Sequence, residues 1–233
     1  DNNTALGMSA LRLNTTGGNN VAVGLCSLYN NTTCSSNTAV GYLAMCGNGT
    51  ISGDLNTALG TLSLRCITSG SNNVSIGYLS GLNNSTGADN TFVGANSGQA
   101  TTTGGQNVAI GKCALVTNTT ASNNVAIGEI SLRVNTTGAN NTAIGRGSLA
   151  ANTTGTENVA VGNQALCGNT TGNYNTAVGS FALLDVDAGA DNNTAVGRSS
   201  MITLSTGDGN TAVGSQSLRR ATTGNDNVAV GQN

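Results

Sequence analysis

Residues 124–140 read NVAIGEISLRVNTTGAN, and variants of this seventeen-residue unit recur fourteen times along the chain. The step between opening Asn residues is 17, except for 19 after Asn37 and 18 after Asn175. So short and strict a period predicts a solenoid, in which each repeat adds one coil along a single axis. We number each repeat from its opening Asn as slot 0. That residue stands at Asn3, Asn20, Asn37, Asn56, Asn73, Asn90, Asn107, Asn124, Asn141, Asn158, Asn175, Asn193, Asn210 and Asn227.

Slots 1 to 4 predict a short β-strand. Slot 1 is always Thr or Val and slot 3 is always Val, Ile or Leu, whereas slot 2 is nearly always Ala and slot 4 is always Gly. Alternate strand residues point to opposite faces, so we expect the branched side chains of slots 1 and 3 to line the core. The small residues at slots 2 and 4 then predict a close contact with another chain or another sheet.

Slots 5 to 10 fit a second strand, with Ser or Ala at slot 7 and usually Leu at slot 8. The block Asn-Thr-Thr-Gly that follows, as at residues 135–138, predicts a turn, because Asn and Thr bond nearby backbone and Gly accepts positive φ. Stacked coils place like side chains about 4.8 Å apart. We therefore expect hydrogen-bonded Asn and Thr ladders, the longest at slot 0.

The fold class predicted is all-β, a parallel β-solenoid with one coil per repeat. A helical period is missing and a propeller blade needs a longer repeat. We expect residues 1–233 to form a single repeat domain of about fourteen coils, a rod of about 65 Å. Neither end shows a cap, so we expect a segment of a longer fibre, or rods that join end to end as a filament. A thin coil buries little surface, which favours association as a homotrimer.

Composition excludes several classes of function. The net charge is −2, so the chain offers no basic surface for nucleic acid. It contains no stretch of 18 or more apolar residues, so we expect no membrane insertion. The chain has no His, so neither a Ser–His nor a Cys–His pair can form. The repeated Ser and Thr residues occupy structural slots. We therefore expect no enzymatic activity, no catalytic residues and no cofactor.

One acidic segment has spacing similar to that of a calcium loop. Asp185, Asp187 and Asp191 surround Gly189, but the closing Glu of such a loop is missing. The same segment contains one of the two insertions. An exposed, variable corner is the alternative interpretation.

The six cysteines leave two interpretations open. None has the short spacing of a zinc site. Cys46 and Cys66 lie in adjacent coils, and Cys26 and Cys34 share one coil, so each pair is a candidate disulfide. Small buried hydrophobic side chains are the other interpretation.

The repeat resembles a known motif. Residues 19–24, NNVAVG, followed by Ser27, are similar to the Asn-Ser-Val-Ala-Ile-Gly…Ser motif of trimeric autotransporter adhesin heads, and residues 123–128 followed by Ser131 match as well. The copy at 106–111 departs, with Gln106 at its first position and Ala114 where Ser is expected. Related repeats occur in phage and large-virus fibres. The resemblance implies a left-handed parallel β-roll, three chains packed side by side and an extracellular adhesive role.

The added Asn-Thr-Thr-Gly turn makes this repeat longer than the usual head repeat, so a viral fibre rivals a bacterial adhesin. We expect a fibre segment at a cell or virion surface, or otherwise extracellular, that presents a surface to a host glycan or protein receptor. A purely structural spacer is the first alternative, since exposed aromatic anchors are few. An ice-binding solenoid is a further alternative. Variation concentrates at slots 5, 6, 9 and 10 and in residues 47–55 and 185–192, where specificity should be sought.

Overall fold

The computed structural model describes residues 1–186, 189–220 and 223–232. Every regular element in these residues is a short β-strand, and they contain no helix. Residue contacts divide the chain into two compact units, Asp1–Thr120 (unit 1) and Ala121–Asn233 (unit 2). Each unit is described below by itself.

Unit 1 is a stack of parallel strands, one from each repeat. Each strand pairs with the next in chain order and in the same register, so that Thr4 lies opposite Val21 and Thr91 opposite Val108. The strand predicted at slots 1 to 4 is confirmed over slots 1 to 3, and the predicted parallel β-solenoid is confirmed here. The strands are β1 (Thr4–Leu6), β2 (Val21–Val23), β3 (Thr38–Val40), β4 (Thr57–Leu59), β5 (Val74–Ile76), β6 (Thr91–Val93) and β7 (Val108–Ile110).

Unit 2 repeats this architecture with one addition. Its main strands pair in parallel with the same register, and a separate two-stranded sheet joins β12 to β14, with Asp185 opposite Thr203. The strands are β8 (Val125–Ile127), β9 (Thr142–Ile144), β10 (Val159–Val161), β11 (Thr176–Val178), β12 (Asp185–Val186), β13 (Thr194–Val196), β14 (Thr203–Leu204), β15 (Thr211–Val213) and β16 (Val228–Val230).

The strand face that points to the core is the opposite of the predicted one. The slot 2 side chains, such as Ala22 and Ala126, are fully buried, whereas slots 1 and 3 are half-buried or exposed. The prediction that slots 1 and 3 line the core was therefore wrong, and the slot 2 side chains point into their own coil rather than towards another chain. Alternation along the strand holds, but its sense is inverted.

The narrow interior of one coil explains the inversion. The strand forms one wall, and the slot 8 side chains, such as Leu28 and Leu132, are fully buried against it from the opposite wall. Only a small side chain fits on the strand wall when a Leu fills the remaining space, because protein interiors are close-packed. The branched side chains of slots 1 and 3 are too large for this wall and point outwards.

Phe92 shows how strictly the inner width is kept. It replaces Ala at slot 2 and is fully buried, and in its own coil and the preceding one slot 8 is Gly98 and Gly81. A Cβ at Gly98 would overlap the Phe92 ring, and one at Gly81 would lie 2.9 Å from its Cδ2 atom. One large residue on the strand wall thus requires two small ones on the opposite wall.

In the described residues slots 5 to 9 form no strand, and slot 10 belongs to one only at Asp185 and Thr203, which corrects the second strand predicted over slots 5 to 10. Slots 7 and 8 are both buried, as at Ser27 and Leu28, whereas a strand would turn neighbouring side chains to opposite faces. The backbone instead takes positive φ at alternate residues, 53° at Cys26 and 50° at Leu28. This conformation costs about 1–2 kcal/mol per non-glycine residue. Hydrogen bonds between coils persist, as from the Leu28 N–H to the Ala44 carbonyl at 3.1 Å, and offset that cost.

Glycine is required at slot 4 by contact between coils of the same chain. At Gly24 the φ is 126°, and an added Cβ would lie 2.5 Å from the carbonyl oxygen of Gly41 in the next coil. Gly41 meets Gly60 in the same way. The small residues of slots 2 and 4 are therefore explained within the coil.

The slot 0 Asn side chains form a hydrogen-bonded column within each unit. The Oδ1 atom of Asn20 accepts the backbone N–H of Asn37 at 2.9 Å, and its Nδ2 atom donates to the Cys34 carbonyl at 2.8 Å. In unit 2 the Oδ1 atom of Asn141 accepts the N–H of Asn158 at 3.0 Å. Each Asn thus joins its own coil to the next, and these amides are buried with their hydrogen bonds made.

A second Asn column runs along slot 11 and has a direction. The Nδ2 atom of Asn169 donates to the Oδ1 atom of Asn152 at 3.0 Å, and Asn152 donates likewise to Asn135 at 2.9 Å. The last Asn of a run therefore needs a donor from the following coil. In three places the following coil has a residue other than Asn in the slot 11 column: Ile51 follows Asn31, Thr101 follows Asn84 and Val186 follows Asn169. The Oδ1 atom of each of these three Asn residues is buried without a hydrogen bond.

A third column, at slot 15, was not predicted and runs the other way. Side-chain oxygens here accept the backbone N–H of the preceding coil, as from Ser35 to Asp54 at 2.8 Å and from Asp191 to Asp208 at 2.8 Å. The sequence signal was weak, because Ser, Asp and Asn all serve as the acceptor at this slot.

The Phe92 environment gives a prediction about packing. Phe92→Ala should destabilise the protein by about 3–5 kcal/mol, since it leaves a cavity between Gly81 and Gly98. The triple variant F92A/G81L/G98L should recover most of this loss, because it restores Leu at slot 8 opposite a small slot 2 residue, which is Ser75 in one of these two coils and the introduced Ala in the other. Urea unfolding followed by circular dichroism measures both variants. A triple variant no more stable than Phe92→Ala would contradict the fixed inner width.

The slot 11 column gives a second prediction. Asn152→Val should destabilise unit 2 by about 1–3 kcal/mol more than Asn169→Val, because only the first breaks the run internally. Asn169→Val removes the unsatisfied Oδ1 atom of Asn169 and leaves that of Asn152 unsatisfied, so the number of unsatisfied oxygens does not change. Thermal unfolding of the two variants side by side is the measurement. Equal losses would show that the direction of the column has no energetic effect.

Candidate interaction surface

The outward side chains of slots 1 and 3 make a continuous surface along each unit, which we call the outer stripe. It contains only Thr, Val, Ile and Leu. In unit 1 it comprises Thr4, Leu6, Val21, Val23, Thr38, Val40, Thr57, Leu59, Val74, Ile76, Thr91, Val93, Val108 and Ile110. In unit 2 it comprises Val125, Ile127, Thr142, Ile144, Val159, Val161, Thr176, Val178, Thr194, Val196, Thr211, Val213, Val228 and Val230.

The outer stripe is uncharged and mostly apolar, and its side chains are half-buried or exposed. Ile110 in unit 1 and Ile144 in unit 2 are 38% and 37% exposed, and Leu59 is 45% exposed. From the strand geometry, the stripe of one unit measures roughly 30 Å by 10 Å, the size at which apolar patches mark interaction sites. The variable slots beside it carry the charges.

The charged residues beside the stripe interact between neighbouring coils. In unit 2 the Arg146 Nε atom lies 3.3 Å from the Glu129 Oε2 atom, both at slot 5. In unit 1 the Arg12 guanidinium lies 5.8 Å from the centroid of the Tyr29 ring, both at slot 9. The ion pair is half-exposed and contributes about 0–1 kcal/mol. The side chains at these slots therefore vary the chemistry of the surface and contribute little to the stability of the coil stack.

The structure has all six cysteines as free thiols, so neither the Cys46–Cys66 nor the Cys26–Cys34 disulfide is formed in it. The Cys34 Sγ atom donates to the Ile51 carbonyl at 3.1 Å. Burial raises the pKa of the Cys34 thiol, and the Asp54 carboxylate raises it further.

Two other thiols are shifted in the same direction. Burial raises the pKa of Cys46, with a further contribution from Cys26, and burial also raises the pKa of Cys167. A raised pKa leaves less thiolate, which is the reactive form. These thiols are therefore poorly suited to nucleophilic chemistry.

The acidic segment places its residues in separate roles. Asp185 belongs to β12, whereas the Asp191 Oδ1 atom accepts the Asn173 backbone N–H at 2.6 Å in the slot 15 column. Asp187 lies outside the described residues. In the parts of the chain that are described, no three His, Cys, Asp or Glu side chains are grouped closely enough to share a metal ion.

The Ser hydroxyls of slot 7 are used inside the coil. Ser27 and Ser131 donate to the carbonyls of Gly24 and Gly128, at 3.1 and 2.9 Å. Ser63 donates to the Ser75 carbonyl at 2.8 Å. These are structural hydrogen bonds that satisfy buried polar groups.

Across the described ranges, no helix has the length and apolar character needed to cross a membrane. No protein-family model matches the chain. A search of the curated proteins also gave no significant match. The outer stripe and the variable slots beside it are thus the surfaces on which a function can be argued.

Proposed function

We propose that the chain is a non-enzymatic fibre segment whose coils associate side by side as a homotrimer through the outer stripe. The observation that carries this proposal is the stripe itself, which repeats in every coil an uncharged pair of outward side chains, an aliphatic residue at slot 3 and Thr or Val at slot 1. Burying such a surface is favourable by about 25 cal/mol for each Å² removed from water. The small-residue face cannot serve, because it is enclosed within the coil.

The resemblance to trimeric autotransporter adhesin heads and to viral fibre repeats supports three chains and a left-handed coil. It also supports a place outside the cell, on a cell surface or on a virion, and a role in attachment to a host. Cysteines that remain as thiols fit a particle assembled in a reducing compartment. A spacer role without a receptor would use the same trimer, and end-to-end joining of segments would extend it.

The trimer proposal predicts the effect of a charge placed on the stripe. The variant I144K/V178K should be monomeric, with about one third of the wild-type mass in solution, because Lys cannot be buried unpaired between chains. Both positions point away from the coil, so its circular dichroism spectrum should remain that of the wild type. Light scattering measures the mass.

The matched control is Asn163→Lys, since Asn163 is exposed at slot 5 where Lys112 stands in another coil. This control should stay trimeric. A wild-type protein that is monomeric would overturn the homotrimer, and a trimer that tolerates both Lys residues would place the interface elsewhere. Loss of folding in I144K/V178K would mean that slot 3 points inwards after all.

Ice binding is a second candidate, favoured by one observation on the same stripe. In unit 2 the outward residues Thr176, Thr194 and Thr211 lie directly opposite one another in β11, β13 and β15. Together with the slot 3 column they form an array of hydroxyl and methyl groups with a row spacing of about 4.8 Å.

The ice-binding candidate predicts a gap between the melting and freezing temperatures of a solution of the protein. Thr194→Lys should abolish that gap, because it interrupts the array at its centre. Nanolitre osmometry is the measurement, with Asn163→Lys again as the control. A wild-type solution without thermal hysteresis rejects this candidate and leaves the trimer proposal intact.

A further inference from the structure

Unit 1 has a local aromatic surface at slot 5 that unit 2 does not share. Tyr42 and Tyr78 are 49% and 54% exposed, and Thr61 stands between them in the intervening coil. No hydrogen bond links either phenol to another described residue. Slot 6 of the same three coils is Leu in each case. We call Tyr42, Thr61 and Tyr78 the tyrosine column.

The backbone fixes the spacing of this column. The Leu62 N–H donates to the Tyr42 carbonyl at 2.9 Å, and the Leu79 N–H donates to the Thr61 carbonyl at 3.1 Å. The three coils are therefore in register at slot 5. The two tyrosines stand two coils apart, about 10 Å along the stack.

The coil itself does not require these tyrosines. Slot 5 carries Glu129, Arg146 and Arg198 in unit 2, where the strands pair as they do in unit 1. Exposed tyrosines offer rigid, flat contact surfaces with little loss of side-chain entropy on binding. The fixed spacing of Tyr42 and Tyr78 on a regular stack of coils therefore favours a role in binding over a role in folding.

The charge of the surroundings restricts the class of occupant. Slots 5 and 6 of the five coils that begin at Asn20, Asn37, Asn56, Asn73 and Asn90 contain no Lys, Arg, Asp or Glu. An acidic or basic partner would find no complementary charge there. An uncharged occupant with apolar faces and hydroxyl edges fits better, because tyrosine presents both an apolar ring and a polar tip.

We propose that the tyrosine column binds a neutral, unbranched chain of β-1,4-linked pyranose sugars lying along the coil stack. In such a chain each ring is turned over relative to the last, so equivalent faces recur every second sugar. That disaccharide repeat matches the two-coil spacing of Tyr42 and Tyr78, and the Thr61 hydroxyl lies beside the sugar between them. The inference rests on the attachment role proposed above, and gives that role a ligand class.

The test uses the full wild-type chain, with binding to cellulose and chitin measured by pull-down and to soluble cellohexaose by calorimetry. Starch, whose α-linked chain coils, serves as the probe that should not bind. The wild type should bind at least one β-1,4-linked probe. Tyr42→Ala or Tyr78→Ala should weaken binding roughly tenfold or more, since each removes one aromatic contact.

Two further variants make the result specific. Tyr174→Ala should bind like the wild type, because Tyr174 is 53% exposed but stands alone at slot 16 of unit 2. The variant T61Y/Y78T keeps two tyrosines in the column but moves them to adjacent coils. It should lose the preference for β-1,4-linked chains, since the spacing is halved.

Failure of this inference is distinguishable from failure of the trimer. A trimeric wild type that binds no β-1,4-linked probe, or binds starch equally, overturns the inference alone. Y42A/Y78A that changes the mass in solution would assign the column to contact between copies of the chain, and also overturns it. Retained binding in T61Y/Y78T would remove the spacing argument and with it the proposed ligand class.

Discussion

The inner width of one coil is the constraint on which the rest of the structure depends. The interior of a seventeen-residue coil holds one Leu side chain at slot 8 and, opposite it, one methyl group at slot 2 of the strand. Ala at slot 2, Leu at slot 8 and positive φ through slots 6 and 8 all follow from closing so small a circuit. The apolar outer stripe follows as well, because branched side chains that suit a strand have no place inside.

Much of the fold was predictable because a strict period allows few arrangements. The repeat indicated one coil each, and Thr or Val followed by Ala, an aliphatic residue and Gly indicated a strand at slots 1 to 4, of which slots 1 to 3 form it. The direction of that strand was not predictable from alternation alone, since branched residues suit either face. One signal could have revealed it. Phe92 coincides with Gly81 and Gly98, as expected only if slots 2 and 8 face each other.

The candidate site shows a different limit. Sequence reasoning found that slots 5, 6, 9 and 10 vary, but assigned slots 5 to 10 to a strand whose side chains would alternate. In the structure Ser27 and Leu28 are both buried, so the outward set is slots 5, 6, 9 and 10 without alternation. Counting from the opening Asn already places Tyr42 and Tyr78 at slot 5, but only the structure shows that both are exposed and that their coils are in register there. Composition could not indicate it.

The directional Asn column has a consequence for how such a chain lengthens in evolution. A run of slot 11 Asn residues leaves a single unsatisfied Oδ1 atom, at Asn31 after Asn14 and at Asn169 after Asn135 and Asn152. Duplicating a seventeen-residue segment inside a run adds a coil whose amide is satisfied at once on both sides. Duplicating a longer segment that contains both the last Asn coil of a run and the coil after it creates another buried, unsatisfied oxygen. Gene expansion should therefore favour copies taken from within uninterrupted Asn runs.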